Sequence, residues 1–200
     1  RTQIFPTESE LFRQTATLIT DILRDSLTSK ETPRVIVASG RSITQTLMCL
    51  PREALDWSQV TWFLADERCV DPENKERNDR QIREVLKSSL GTKYGLVIGP
   101  RPEIGFRDAV SEYASRIENI QMFDFCLLGL GDDGHIASLF PHHAGLNSSD
   151  PCILIQDSPK PPAERITLGM TTLRNSENRI VVAAGQTKKK AISDMANNSL

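Results

Sequence analysis

Three glycines, two aspartates and a histidine fall within Gly129-Leu130-Gly131-Asp132-Asp133-Gly134-His135, directly after the apolar run Phe123 to Leu128. This is the composition of a proton-transfer loop. His135 is the side chain here whose ordinary pKa lies near neutrality, which suits a general base, and Asp133 is the carboxylate counted with it as a catalytic candidate. The glycines let the backbone turn sharply and approach a ligand closely. A plainer reading stays open on spacing alone: Asp132 and Asp133 would serve as turn formers or helix caps, with His135 in a first helical turn.

Other chemistry-bearing residues also follow apolar runs. Ser39-Gly40-Arg41-Ser42 comes after Arg34 to Ala38 and before a helix expected from Thr44, where free backbone N–H groups and the helix dipole favour an anion. Hydroxyls of Ser39, Ser42 and Thr44 would add donors; an ordinary turn with an N-cap is the alternative. Val60 to Ala65 ends abruptly in Asp66-Glu67-Arg68. There Asp66 would orient a sugar hydroxyl or water and Arg68 would stabilise charge on an attacked carbonyl oxygen, against the alternative of a solvated ion-pair cluster. Gly185-Gln186-Thr187-Lys188 is a further strand-to-helix turn, and lysines in a first helical turn oppose the dipole unless an anion is bound. Arg165, after the Pro-rich stretch Pro159 to Pro162, is a second anion donor.

These sites need a frame that gathers strand ends. Continuous apolar runs such as Phe123 to Leu128 read as strands buried on both faces of a parallel sheet, and they alternate with amphipathic helix patterns, the βαβα signature. Leu11, Phe12, Leu18, Ile19, Ile22 and Leu23 lie at helical spacing after a cap at Thr7 or Ser9. Asp79 to Leu90 predicts a helix with Ile82, Val85 and Leu86 on one face and Asn78 as its N-cap. Val110, Tyr113, Ala114 and Ile117 mark another. Further strands are expected at Leu96 to Ile98, Cys152 to Ile155, Arg165 to Leu168 and Arg179 to Ala184, and a last helix from Thr187. The fold class expected is α/β: a three-layer, mostly parallel open sheet flanked by helices, Rossmann-like, with residues 1–200 forming a single domain.

Composition excludes several partners. Lys and Arg number 24 and Asp and Glu 26, a net charge of -2 without a basic block, so neither nucleic acid nor a membrane surface is expected as partner. No apolar stretch approaches the roughly 20 residues of a bilayer span. Cys49, Cys69, Cys126 and Cys152 form no metal-ligand spacing, so no metal is expected and a reducing cytoplasmic location fits. His142 and His143 read as surface loop residues. Gly129 to Gly134 also spells GxGxxG, with Asp157 ending a later apolar run, but the aspartates would lie beside a pyrophosphate and Pro141 stops any following helix early.

Three stretches, VTWFLADERCVDPENKERNDR, FDFCLLGLGDDGHIASLFP and KPPAERITL, occur in an order and at separations that resemble the 6-phosphogluconolactonase family, and the likeness runs over nearly the whole chain. The resemblance implies a fold like that of glucosamine-6-phosphate deaminase and hydrolysis of 6-phosphogluconolactone in the oxidative pentose phosphate route. It implies no metal or redox cofactor, a sugar phosphate lactone as small-molecule partner, and functional coupling to glucose-6-phosphate dehydrogenase. Carried over by motif, His135 is the general base, Asp66 and Arg68 line the lactone end, and Ser39, Gly40, Arg165 and Lys188 bind the phosphate. Ser138 is expected on a helix after the histidine, holding the loop rather than acting as nucleophile.

The chain departs from the family where it reads Ser39-Gly40-Arg41 instead of Ser-Gly-Gly, which implies a remodelled phosphate loop: Arg41 either adds a charge-assisted contact or restricts access by its bulk. It starts without Met and stops at Leu200, short of the closing segment the resemblance leads one to expect, so it reads either as a fragment or as a shortened form. Two alternatives accompany this reading. The sugar-phosphate isomerase/deaminase class shares the DGH loop but continues into Phe-Asn-Glu-Pro, where this chain has Ala137-Ser138-Leu139-Phe140-Pro141. A non-catalytic sugar-phosphate sensor is the other.

Overall fold

Runs too apolar to face water become the middle of the molecule. The computed structural model describes residues 2–29 and 32–197. Along the chain these form α1 (Glu8–Thr28), β1 (Arg34–Val37), α2 (Arg41–Met48), β2 (Thr61–Leu64), β3 (Asp66–Arg68), α3 (Asn78–Leu90), β4 (Leu96–Ile98), α4 (Phe106–Ile117), β5 (Phe123–Gly129), β6 (Cys152–Ile155), β7 (Arg165–Leu168), α5 (Met170–Arg174), β8 (Ser176–Val182) and α6 (Lys189–Ala196). Five strands make one sheet in the order β4-β2-β1-β5-β8, every neighbouring pair parallel. Val35, Ile36, Val37, Phe125, Cys126 and Leu127 are fully buried, as a sheet covered on both faces requires.

The order places the site. From β1 the chain builds outward through β2 and β4, then returns to add β5 and β8 on the other side. A crevice therefore opens outside the carboxyl ends of β1 and β5, the position at which open α/β sheets receive ligands. Helices cover the sheet: α1 and α2 pack together and against β5, and α3 packs against α2 and β4. In α1 the buried residues are Phe12, Thr15, Ala16, Ile19, Thr20 and Leu23, an i, i+3, i+4, i+7 face. Leu18, expected on that face, is instead exposed. Thr7 is the cap, its hydroxyl accepting from the Glu10 N–H at 3.2 Å.

A second sheet, β3-β7-β6 and antiparallel, was not foreseen in the sequence. Asp66-Glu67-Arg68 is neither a frayed strand end nor a solvated cluster; it is a strand paired with β7 in the register Asp66↔Thr167, Glu67↔Ile166 and Arg68↔Arg165. Glu67 is wholly buried because its carboxylate has work inside. It accepts from the N–H groups of Asn78 and Asp79, each at 2.8 Å, and from Arg68 N–H at 2.7 Å, with Arg77 Nε at 3.4 Å. This corrects the assignment of Asn78 as N-cap. Asn78 is the first helical residue, and the acceptor for the free donors of α3 comes from β3. Burial pushes the Glu67 carboxyl upward in pKa, opposed by these N–H groups and by Arg77.

The segment after His135 is also not helical. Gly131 N–H donates to His135 C=O at 2.7 Å, Ile136 and Leu139 bridge each other, and Ala137 takes φ 50, so Ile136 to Leu139 closes as a tight turn before Pro141. Ser138 thus lies in a turn, not on a helix. The helix that a dinucleotide fingerprint needs after its glycines is missing, and Asp157 is engaged elsewhere, 2.8 Å from His143 Nε2. The last strand runs Ser176–Val182, starting earlier than Arg179, because its residues pair continuously with Phe123 to Gly129. Among the described residues no helix is long and apolar enough to cross a membrane.

Candidate active site

Strand ends and one loop from the second sheet enclose a cavity of about 380 Å³. Of the residues expected at the site, Ser39, Gly40, Arg41, Ser42, Asp66, Arg68, His135, Arg165 and Lys188 line it. Asp133 does not. It stands behind the histidine, its Oδ1 2.5 Å from His135 Nδ1.

That contact sets the histidine's tautomer. The Asp133 carboxyl, under opposing pulls of burial upward and His135 downward, is held at about 2. It is therefore ionised and can only accept, so the proton sits on Nδ1 and Nε2 keeps a free lone pair. Burial lowers the His135 pKa, with Asp133 acting the other way, which favours the neutral ring. The ring packs against Phe140, centroids 4.7 Å apart. Gly131 is needed for this geometry: a Cβ there would lie 2.1 Å from His135 Nδ1 and 2.5 Å from Asp133 Oδ1.

At the floor, Ser138 is fully buried and donates to Asp66 Oδ2 at 2.6 Å, which fixes a carboxylate that is itself buried. Arg165 is held from behind. Its Nε donates to Pro162 C=O at 3.1 Å and one terminal nitrogen to Lys160 C=O at 3.0 Å and Pro161 C=O at 3.2 Å. Burial lowers the Arg165 pKa, yet a guanidinium stays charged. Arg68 pairs with Glu76 at 2.5 Å. Two buried atoms of this wall, Arg68 Nε and Asn78 Oδ1, have no hydrogen-bond partner.

The β1–α2 turn also lines the cavity. Gly40 has φ 115, a left-handed conformation that suits glycine, and it stands at the N-cap of α2 without a side-chain cap, leaving the first N–H groups directed outward. Ser39 Oγ lies 2.8 Å from Gln81 Oε1, to which it donates. The helix begins at Arg41 rather than Thr44, and Thr44 Oγ1 turns back to Arg41 C=O at 3.1 Å and does not line the cavity. Arg41 itself is exposed and paired with Glu8 of α1 at 2.6 Å, so its charge is engaged at the rim. Lys188 meets Asp132 Oδ1, and Thr187 Oγ1 reaches the same oxygen at 3.3 Å. Lys190 pairs with Asp194 at 2.5 Å and Lys189 is exposed, so one lysine of the three faces the site.

A family model described as glucosamine-6-phosphate isomerases/6-phosphogluconolactonase matches residues 6–199. The chain belongs to this family. A probable 6-phosphogluconolactonase of Oryza sativa subsp. japonica is 34% identical over 155 residues, covering 70% of this chain and 52% of that protein. The 6-phosphogluconolactonase of Streptomyces coelicolor is 32% identical over 196 residues, covering 88% of this chain and 75% of that one. The chain thus spans about half the length of the rice relative it matches. The crystal structure of a 6-phosphogluconolactonase from Shewanella baltica superposes with a TM-score of 0.84 at 27% identity, covering 95% of this chain and 83% of that one.

Sequence reading of this family member missed Lys160 and Asn78 as cavity residues. Lys160 sits in a proline-rich loop whose path the sequence does not reveal, and its Nζ reaches Asp133 Oδ2 at 3.2 Å. Asn78 gave a capping signal that proved to belong to Glu67. Burial pushes the Cys126 and Cys152 thiols up to about 12, and no cluster of metal-binding side chains occurs among the described residues.

Proposed function

We propose that the protein hydrolyses 6-phosphogluconolactone to 6-phosphogluconate. The observation that carries this reading is that the His135–Asp133 pair and a set of anion donors share one cavity: a neutral imidazole with Nε2 free lines it together with the α2 N-terminus, Ser39, Arg165 and Lys188. A lactone is already an activated ester, so the enzyme must position water, remove its proton and stabilise the oxyanion. No covalent nucleophile is required.

In this mechanism His135 Nε2 takes a proton from water as the water oxygen bonds to the lactone carbonyl carbon. Asp133 steadies the imidazolium that forms. Negative charge develops on the carbonyl oxygen and is met by Arg68, while Asp66 orients the sugar ring. Collapse of the tetrahedral intermediate breaks the ring C–O bond, and the leaving alkoxide regains a proton from the imidazolium. Ser39, the Gly40 N–H, Ser42, Arg165 and Lys188 hold the phosphate at a fixed distance from the carbonyl, while Arg41 stays paired with Glu8 at the rim.

Names of relatives support the lactone over an amino sugar phosphate, as does the Ala137 to Pro141 turn, which brings no carboxylate after His135. The test is to offer the protein 6-phosphogluconolactone and, separately, glucosamine 6-phosphate. Accelerated loss of the lactone and no release of ammonia are the expected results. Ammonia release would favour the isomerase/deaminase branch, and binding of 6-phosphogluconate with no turnover of either compound would favour a sensor.

A further inference from the structure

We infer that Lys160 is a positioning residue for the catalytic pair, the third member of a Lys160–Asp133–His135 relay of contacts that fixes the base in its working orientation. The inference rests on the proposed hydrolysis and adds a residue to it. Each oxygen of the Asp133 carboxylate has its own partner: Oδ1 meets His135 Nδ1 at 2.5 Å and Oδ2 meets Lys160 Nζ at 3.2 Å. A carboxylate held at one oxygen can swing about its χ2 bond; held at both, it cannot.

An isolated surface ion pair contributes little, and both side chains here are partly exposed. What distinguishes Lys160 is that its backbone is already fixed. Its N–H donates to Ser158 Oγ at 3.3 Å, and its C=O accepts from Ser158 Oγ at 2.8 Å and from Arg165 at 3.0 Å. Part of the ordering cost of the pair is thereby met by the loop. The same residue therefore anchors Arg165 through its carbonyl and Asp133 through its ammonium, tying the anion-binding wall to the base.

Charge makes the role measurable. The charged groups acting on the His135 ring are Asp133 on its own loop, Asp66 on β3 and Lys160, with Arg165 lying over the Phe140 ring that packs on the histidine. Lys160 is the nearby cation that disfavours a protonated ring, so it keeps the base neutral and correctly turned.

The experiment is an NMR titration of the His135 ring in the ligand-free protein, its signal assigned with His135→Gln, for wild type, Lys160→Met and Lys160→Arg, together with kcat and KM for the lactone against pH. In Lys160→Met the His135 titration should move up by about half a pH unit, the effect of one charge at surface dielectric. The acid limb of kcat/KM should move with it, and kcat should fall about tenfold at neutral pH with KM little changed. Lys160→Arg should restore both. An unchanged or lowered titration in Lys160→Met, or a loss confined to KM, would overturn the inference. Because the titration needs no substrate, it decides the matter even if the wild type proves unable to hydrolyse the lactone, an outcome that would count against the proposed function alone.

Discussion

Lys188 Nζ and Asp132 Oδ1 meet at the cavity edge, and Thr187 Oγ1 reaches the same oxygen, so a carboxylate occupies the donors assigned to the phosphate. Under the proposed function Asp132 competes with the substrate's phosphate for these donors. Asp132→Asn should tighten binding of 6-phosphogluconate about threefold, a modest gain because the pair is partly exposed, and Lys188→Ala should weaken it. Calorimetric titration at two salt concentrations checks both. Weaker binding by Asp132→Asn would place the phosphate elsewhere.

Gly131 lies against the His135–Asp133 pair with no room for a methyl group. Gly131→Ala should displace His135 or Asp133 and lower kcat by about a hundredfold, the scale of an ångström-sized misplacement. Circular dichroism and the thermal midpoint should stay near wild type, since the site is a loop. Full activity in this variant would show that the pair has no fixed geometry to lose.

Glu67 carries structure rather than chemistry. Glu67→Ala strips acceptors from two α3 N–H groups and leaves buried Arg77 with Asp79 and Glu103 as its remaining carboxylate partners. Unfolding free energy should fall by about 3 kcal/mol, equivalent to roughly 10 °C in Tm for a chain of this size. Thermal unfolding measures it; a drop of less than about 2 °C would mean that the helix end finds other acceptors.

Much of this architecture is written in residue patterns. Val35 to Val37 and Phe125 to Leu127 are legible because strands buried on both faces must be apolar throughout, and the residues that follow them, Ser39 and His135, then fall at the crevice by topology. The short β3 strand is not legible, because three successive charged residues contradict every strand pattern, and only the distant N–H groups of Asn78 and Asp79 explain why Glu67 is inside. Lys160 escaped for a similar reason. Its importance comes from a loop that folds back on Arg165, a contact between residues whose side chains carry no periodic signal. Arg41 was read as a candidate for the phosphate, and the structure engages it with Glu8.

The pH dependence follows from the neutral base. Burial lowers the His135 pKa from its ordinary 6.5, so protonation of the ring requires more acid than for a free histidine. Under the proposed mechanism the unprotonated ring is the active form, so the acid limb of kcat/KM should be centred below 6.5 and activity lost as the pH falls through the lowered value. Asp133, held at about 2, remains ionised over that range and adds no limb of its own. A rate profile with its acid limb centred above 6.5 would contradict a desolvated base.

The most direct measurement generates 6-phosphogluconolactone in place from glucose 6-phosphate and follows its loss with wild type, with His135→Ala and with no protein, while 6-phosphogluconate binding is measured on both proteins. Wild type should exceed spontaneous hydrolysis, and His135→Ala should lose at least about a hundredfold of that acceleration while binding the product as before, since a proton acceptor has gone and the anion donors remain. Equal rates for wild type and His135→Ala, or no acceleration by wild type, would contradict the central claim.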